Sequence, residues 1–145
     1  MSFNEKKIQI PKSYVTPQDT PIRISNYPES TSGVSPIQIV TLNQPKKMNA
    51  INTEMIQFLI TFYLTVDLDN RVKVIIVTGA GKAFSAGIDL TIDTSSSKNI
   101  PTGSLRDPGG ILALAMFKCS KLIIVAYNGL SVGIGMISTL AATIR

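Results

Sequence analysis

Val72-Lys73-Val74-Ile75-Ile76-Val77-Thr78, closed by Gly79, is a nearly continuous run of β-branched apolar residues. Such a run marks a strand covered on both faces, as in a largely parallel sheet. Upstream, Ile37-Gln38-Ile39-Val40-Thr41-Leu42 alternates in part and reads as a second strand, stopped by Asn43-Gln44-Pro45. A helix follows with Asn52 or Thr53 as its cap, because Met55, Phe58, Leu59, Phe62, Tyr63 and Val66 recur at three- and four-residue steps. That face belongs in the core. Downstream, Asp107 suits an N-cap and Pro108 a first helical position, so Ile111 to Phe117 forms a short apolar helix. Leu122-Ile123-Ile124-Val125-Ala126 is the next strand, and Asn128-Gly129 leads into a final helix of small and apolar residues. Strand and helix alternate three times, which implies an α/β fold.

The flanks read differently. Residues 1 to 36 are rich in Pro, Ser, Thr and Lys without a sustained period, so they read as a loosely ordered arm with one short extended piece around Ile22 to Ile24. The folded domain is expected over residues 37 to 145. From Thr91 to Arg106 the composition turns polar, the pattern of a loop that is mobile or ordered by ligand.

At 145 residues and 44% hydrophobic, the chain has the size of one domain with a real core. It contains no histidine and a single cysteine, Cys119, so an internal disulfide, Cys/His metal sites and imidazole-based mechanisms are excluded. No metal site is expected. The net charge of +5 comes from scattered Lys and Arg, with no basic run interleaved with aromatics. A polyanionic small ligand suits this pattern as well as nucleic acid does, and nucleic acid is not expected as a partner. No stretch approaches the roughly 20 apolar residues of a membrane span, so no membrane association is expected either.

Two strand exits place glycine-flanked backbone at the end of a buried strand, where open α/β sheets bind ligands. They are Ala83-Phe84-Ser85-Ala86-Gly87-Ile88-Asp89-Leu90 and Asn128-Gly129-Leu130-Ser131-Val132-Gly133-Ile134-Gly135. Neither holds a nucleophile beside a base. Each can instead present a fixed N–H donor, and two such donors on one oxygen stabilise an enolate developing from a thioester carbonyl.

With Pro45-Lys46-Lys47-Met48-Asn49-Ala50 these segments complete, in order, the three hallmarks of the crotonase superfamily, and the chain resembles enoyl-CoA hydratases and isomerases over residues 37 to 145. The resemblance implies a ββα spiral, incomplete here because the later strands and oligomerisation helices lie beyond Arg145. It implies oxyanion-hole amides on Ile88 and Ile134. It also implies coenzyme A, as part of an acyl-CoA substrate and not as a separate cofactor, lying along Ala86 and Gly87, with Gly133 beside it and Lys46 or Lys47 near the phosphates. Homo-trimers or hexamers are usual in the family. Hydratases carry a glutamate three residues after the second amide, where this chain has Ile137. That departure favours isomerisation, with one carboxylate from beyond Arg145. The chain further resembles fungal peroxisomal members serving fatty-acid β-oxidation or secondary metabolism, so a peroxisomal setting is expected. Thr143-Ile144-Arg145 is not the targeting tripeptide, and the cytoplasm is the alternative. The rival to an enzyme is a truncated, inactive relative that serves as a binding or assembly partner.

Plainer readings stand beside these. Gly87 and Ile88 alone suit an ordinary turn. Asp89 is expected to cap a helix and not to act as the base. Gly133-Ile134-Gly135 lacks the third glycine of a dinucleotide fingerprint, and Gly79-Ala80-Gly81-Lys82 is too short for a phosphate-binding loop. Cys119 has no histidine to activate it and reads as a packing residue.

Overall fold

The computed structural model describes residues 8–90 and 108–145; the polar insertion at 91–106 and the Asp107 cap lie outside them. The α/β alternation holds. Strands β1 (Ile22–Tyr27), β2 (Ile37–Leu42), β3 (Val74–Gly79) and β5 (Leu122–Val125) form one sheet in the order β1-β2-β3-β5. Strands β2, β3 and β5 are parallel, and β1 is antiparallel to β2. The short strands β4 (Ala83–Ser85) and β6 (Leu130–Ser131) pair with each other in a second, parallel sheet. Helices α1 (Thr53–Asp67) and α2 (Pro108–Lys118) pack together, and α3 (Ile134–Ile137) runs into a 3-10 turn at Ser138–Ala141.

The connectivity contains a repeat. From β2 the chain passes through Ile51, bridged to Ile88, into α1; from β3 through β4 to α2; and from β5 through β6 to α3. Each turn of this ββα spiral delivers the chain from the main sheet to the edge of the second sheet. The strand-exit backbone therefore accumulates along one rim.

Local chemistry explains the elements. The Asn52 carboxamide accepts the Met55 N–H at 2.8 Å and satisfies one orphan donor at the start of α1. The inward face of α1 is Met55, Ile56, Leu59, Phe62, Tyr63 and Val66. Phe58, expected on it, is 40% exposed, and Ile56 takes its place, because α1 packs against α2 as well as against the sheet. In β3, Ile75 and Val77 are buried while Val74 and Ile76 are half-covered, so one face is sealed more fully than the other. The final helix is shorter than expected: one α turn, then a 3-10 turn in which the Ser138 and Thr139 hydroxyls donate to Ile134 O and Met136 O. Such back-bonding competes with the regular helical ladder.

Residues 8–36 do not form an arm outside the domain, which corrects the expected boundary at Pro36. All six residues of β1 pair with β2, from Ile22 opposite Leu42 to Tyr27 opposite Ile37. Ile22, Ile24 and Asn26 point inward with the period of two that a half-buried strand requires. Ahead of β1, buried Tyr14 meets Phe62 edge-on at 5.7 Å and donates its hydroxyl to Asp69 at 3.1 Å. Arg71 holds Asp69 in an ion pair at 2.8 Å and donates from the same guanidinium to Pro11 O at 2.7 Å. A buried aromatic contributes about 1.5–3 kcal/mol, so Tyr14 alone gives this segment a reason to stay docked.

Candidate active site at two strand exits

The first exit is held by the Pro45–Ala50 turn. Met48 and Asn49 both adopt left-handed backbone, φ 49° and 56°. Asn49 is fully buried and accepts the Gln44 N–H at 2.9 Å, while its amide donates to Ala80 O and Ala83 O at 2.8 Å each. Its own carbonyl accepts the Ser85 hydroxyl at 2.9 Å. Three backbone bonds then zip the turn to the loop after β4: Ala86 N–H to Met48 O (2.8 Å), Ile51 N–H to Gly87 O (2.7 Å) and Asp89 N–H to Ile51 O (2.9 Å).

This pairing decides where Ile88 faces. Ile51 bonds the residues on either side of Ile88, so the peptide groups of Ile88 itself turn to the opposite edge. Its N–H has no acceptor among the described residues. Ile134 reaches the same condition by another route. It is the first residue of α3, and an N–H there has no partner within the helix. Among the described residues it too lacks an acceptor.

The two exits are locked side by side. Ala83 pairs with Leu130 and Ser85 with Ser131, and the Val132 N–H donates to Ser85 O at 3.0 Å. Gly87 has φ 96°, and a β-carbon there would sit 3.1 Å from Val132 O. A β-carbon on Gly135 would meet the Ser85 Cβ at 2.5 Å and its Oγ at 2.8 Å. Only glycine permits both approaches. Ile88 and Ile134 thus follow, by one and two residues, the contacting residues Gly87 and Val132. Asn128 adds a staple: its amide donates to Gly81 O at 2.9 Å and its Oδ1 accepts the Gly79 N–H at 3.0 Å.

The side chains at this rim are mostly apolar and small. Ala86, Ile88 and Gly133 are exposed, Ile134 is half-buried and Gly87 is buried. Lys46 is exposed on the turn. Lys47 is engaged with Asp89, Nζ to Oδ2 at 3.0 Å, although it was expected near a ligand's phosphates. Asp89 is buried, and its carboxylate takes this partner; any helix it caps lies outside the described residues. Ile137 faces an open apolar groove of about 510 Å³ shared with Ala113, Leu114, Phe117 and Leu140, with no carboxylate lining it among the described residues. The core beneath holds a cavity of about 20 Å³, room for one water and not for a ligand.

Other ionisable groups serve packing. Asp67 accepts the Ser120 N–H and hydroxyl at 2.7 Å each, which holds its carboxyl below the usual range. The Arg71 guanidinium draws Asp69 down to about 2. Burial pushes the Cys119 thiol up, consistent with a packing residue. No group of three metal-ligating side chains occurs among the described residues, and no described helix is long and apolar enough to cross a membrane. Asn49 and Asn128 are the positioning residues that sequence reasoning passed over. Their only sequence signal was position within the motifs, because an asparagine's carboxamide looks the same whether it caps, staples or faces water.

Comparison with known proteins places these features. The enoyl-CoA hydratase/isomerase family profile matches residues 32–145. An enoyl-CoA hydratase of Alternaria alternata, AKT3-2, is 37% identical over 109 residues, covering 75% of this chain and 36% of that protein. A probable peroxisomal enoyl-CoA hydratase 1 of Arabidopsis thaliana is 32% identical over 108 residues, covering 74% of this chain and 39% of its own length. Among solved structures, a putative enoyl-CoA hydratase/isomerase from Acinetobacter baumannii superposes with a TM-score of 0.70 at 22% identity, over 86% of this chain and 48% of that one. The chain therefore spans well under half the length of these curated relatives and about half of that crotonase-type fold. On the family match, the three ordered motifs and the ββα spiral, the chain belongs to the enoyl-CoA hydratase/isomerase family of the crotonase superfamily.

Proposed function

We propose that the chain carries the enolate-stabilising part of an acyl-CoA site, and that the reaction served is double-bond isomerisation rather than hydration. One observation carries this reading: two backbone N–H groups without acceptors, Ile88 and Ile134, sit on neighbouring strand exits that glycine contacts lock together. In this reading the thioester oxygen of an acyl-CoA sits between them. Removal of the α-proton sends its electron pair to that oxygen, the two donors hold the enolate, and the same carboxyl group returns the proton at the γ-carbon. A single fixed donor of this type is worth about 3–4 kcal/mol of transition-state stabilisation.

Ile137 supports isomerisation, since no carboxylate stands where a hydratase would hold its water. Among the described residues, Asp67, Asp69 and Asp89 are engaged with Ser120, Arg71 and Lys47, while Asp19, Glu29 and Glu54 are exposed; in this reading the acid/base comes from outside the described residues. Coenzyme A would run along Ala86, Gly87 and Gly133, with Lys46 toward its phosphates. The peroxisomal, fatty-acid or secondary-metabolic setting and a trimeric or hexameric assembly belong to the same reading, supported by the Arabidopsis and Alternaria relatives.

Calorimetric titration tests it. The 145-residue chain is expected to bind an acyl-CoA, to ignore nicotinamide dinucleotides, and to leave 3-enoyl-CoA unconverted. Binding of the dinucleotide alone would overturn the site, and enzymatic turnover of 3-enoyl-CoA would overturn the placement of the acid/base.

A further inference from the structure

We infer that Tyr127 is a positioning residue for the Ile134 amide, because its hydroxyl clamps the single helical turn that carries this N–H. The inference rests on the acyl-CoA reading for what the amide does, and on geometry alone for what the clamp holds. Helix α3 is four residues long, and a helix this short has no stability of its own in water. Its direction is set by what grips its two ends. Near the start, Gly135 packs against Ser85. Beyond the far end, in the 3-10 turn that continues it, buried Thr139 donates its hydroxyl to Met136 O at 2.7 Å, with Gly135 O next at 3.2 Å. That commits the only proton of Thr139 Oγ1, so in its hydrogen bond with Tyr127 the tyrosine hydroxyl is the donor.

Tyr127 can serve as a clamp because its own backbone is fixed from the sheet. The Ala126 N–H donates to Val77 O at 2.8 Å, the Thr78 hydroxyl to Ala126 O at 3.0 Å, and the Asn128 amide to Gly81 O at 2.9 Å. The Tyr127 ring stands edge-on to buried Phe84 of β4, with centroids 4.8 Å apart. One side chain thus joins the end of β5, the strand that leads to Ile88 and the turn that follows Ile134. Removing its oxygen alone, as in Tyr127→Phe, keeps the ring contact and releases Thr139. Tyr127 is 38% exposed, which makes this substitution compatible with folding.

Two ligands separate positioning from general packing: an acyl-CoA, and an S-alkyl-CoA thioether that lacks the carbonyl oxygen. Tyr127→Phe is expected to weaken the acyl-CoA about two- to tenfold, the worth of one neutral hydrogen bond, and to leave the thioether unchanged. Thr139→Val removes the acceptor and should do the same, and the double variant should bind no more weakly than the singles. Thr139→Ser, which keeps the hydroxyl, is expected to restore acyl-CoA binding. In the ligand-free chain, Tyr127→Phe should lower the backbone order parameter of Ile134 from a rigid value of about 0.85, with Ile88 unchanged as the internal control. Equal weakening of both ligands, additive losses in the double variant or an unchanged Ile134 order parameter would overturn the clamp. If the wild-type chain binds neither ligand, the acyl-CoA reading fails on its own, and the Ile134 order parameter still decides whether the hydroxyl holds this turn.

Discussion

Replacing Gly135 with alanine adds one methyl group at the closest contact between the two strand exits. The new carbon would sit 2.5 Å from the Ser85 Cβ and 2.8 Å from its Oγ, against an ordinary carbon contact of about 3.5–4.0 Å. Both neighbours are confined. Ser85 is fully buried, and its hydroxyl donates to Asn49 O and accepts the Gly87 N–H. Relief requires α3 and β4 to separate or Ser85 to leave its rotamer. Overpacking of this kind costs about 1–3 kcal/mol. Displacing the hydroxyl puts two further bonds at risk, at about 0.5–1.5 kcal/mol each. Alanine's better helix propensity returns at most about 1 kcal/mol in so short a helix. The net expectation is a loss of about 3 kcal/mol, read by urea denaturation of the 145-residue chain with an unchanged m-value. Ser85→Gly removes the opposing carbon, so the double variant should recover about 1–3 kcal/mol relative to the sum of the singles. A Gly135→Ala chain as stable as wild type, or a pair of substitutions that merely add, would refute the locked contact.

Three further predictions concern the supports of this rim and the docking of the N-terminal segment. Asn49→Ala removes a buried carboxamide with three partners and places a β-branchless but chiral residue at φ 56°; a loss of at least about 3 kcal/mol is expected in the same denaturation assay, and a loss under 1 kcal/mol would contradict the turn's role. Asp69 is depressed from the ordinary 3.8 to about 2, first by its hydrogen bonds from Arg71. A depressed carboxylate contributes stability above its unfolded value that is lost as pH falls through the folded one, so acid should destabilise wild type between about pH 4 and 2, and Arg71→Met should flatten that dependence. Cys119, whose thiol burial pushes upward, should react slowly with a disulfide reagent in the native chain and fast in urea; fast native labelling would contradict the packing of α2's C-terminal end.

The parts that were legible in the sequence are those where burial writes a period. Met55, Leu59, Phe62, Tyr63 and Val66 recur because one helix face meets the core, and the runs around Ile75 and Ile123 are apolar because parallel strands are covered. The two motif-bearing exits were legible for a different reason, since Gly87 and Gly135 stand where a β-carbon would collide. Strands β4 and β6, with three and two residues, are too short to carry any period. Residues 8–36 misled because Pro17, Pro21 and Pro28 punctuate them, while their docking depends on single long-range contacts, Tyr14 to Phe62 and Arg71 to Pro11. The partner of Lys47 was equally hidden: Asp89 lies 42 residues away, and a lysine near a ligand-binding turn invites a phosphate reading until its ammonium is located.

The claim on which the functional reading stands is that the Ile88 and Ile134 amides meet on one oxygen. Titrating the ¹⁵N-labelled chain with an acyl-CoA carrying a ¹³C-labelled thioester carbonyl tests it directly. Both amide protons should shift downfield together at one stoichiometry, alongside a downfield move of the carbonyl carbon. A carbonyl shift accompanied by only one of these amides, or by neither, would contradict it.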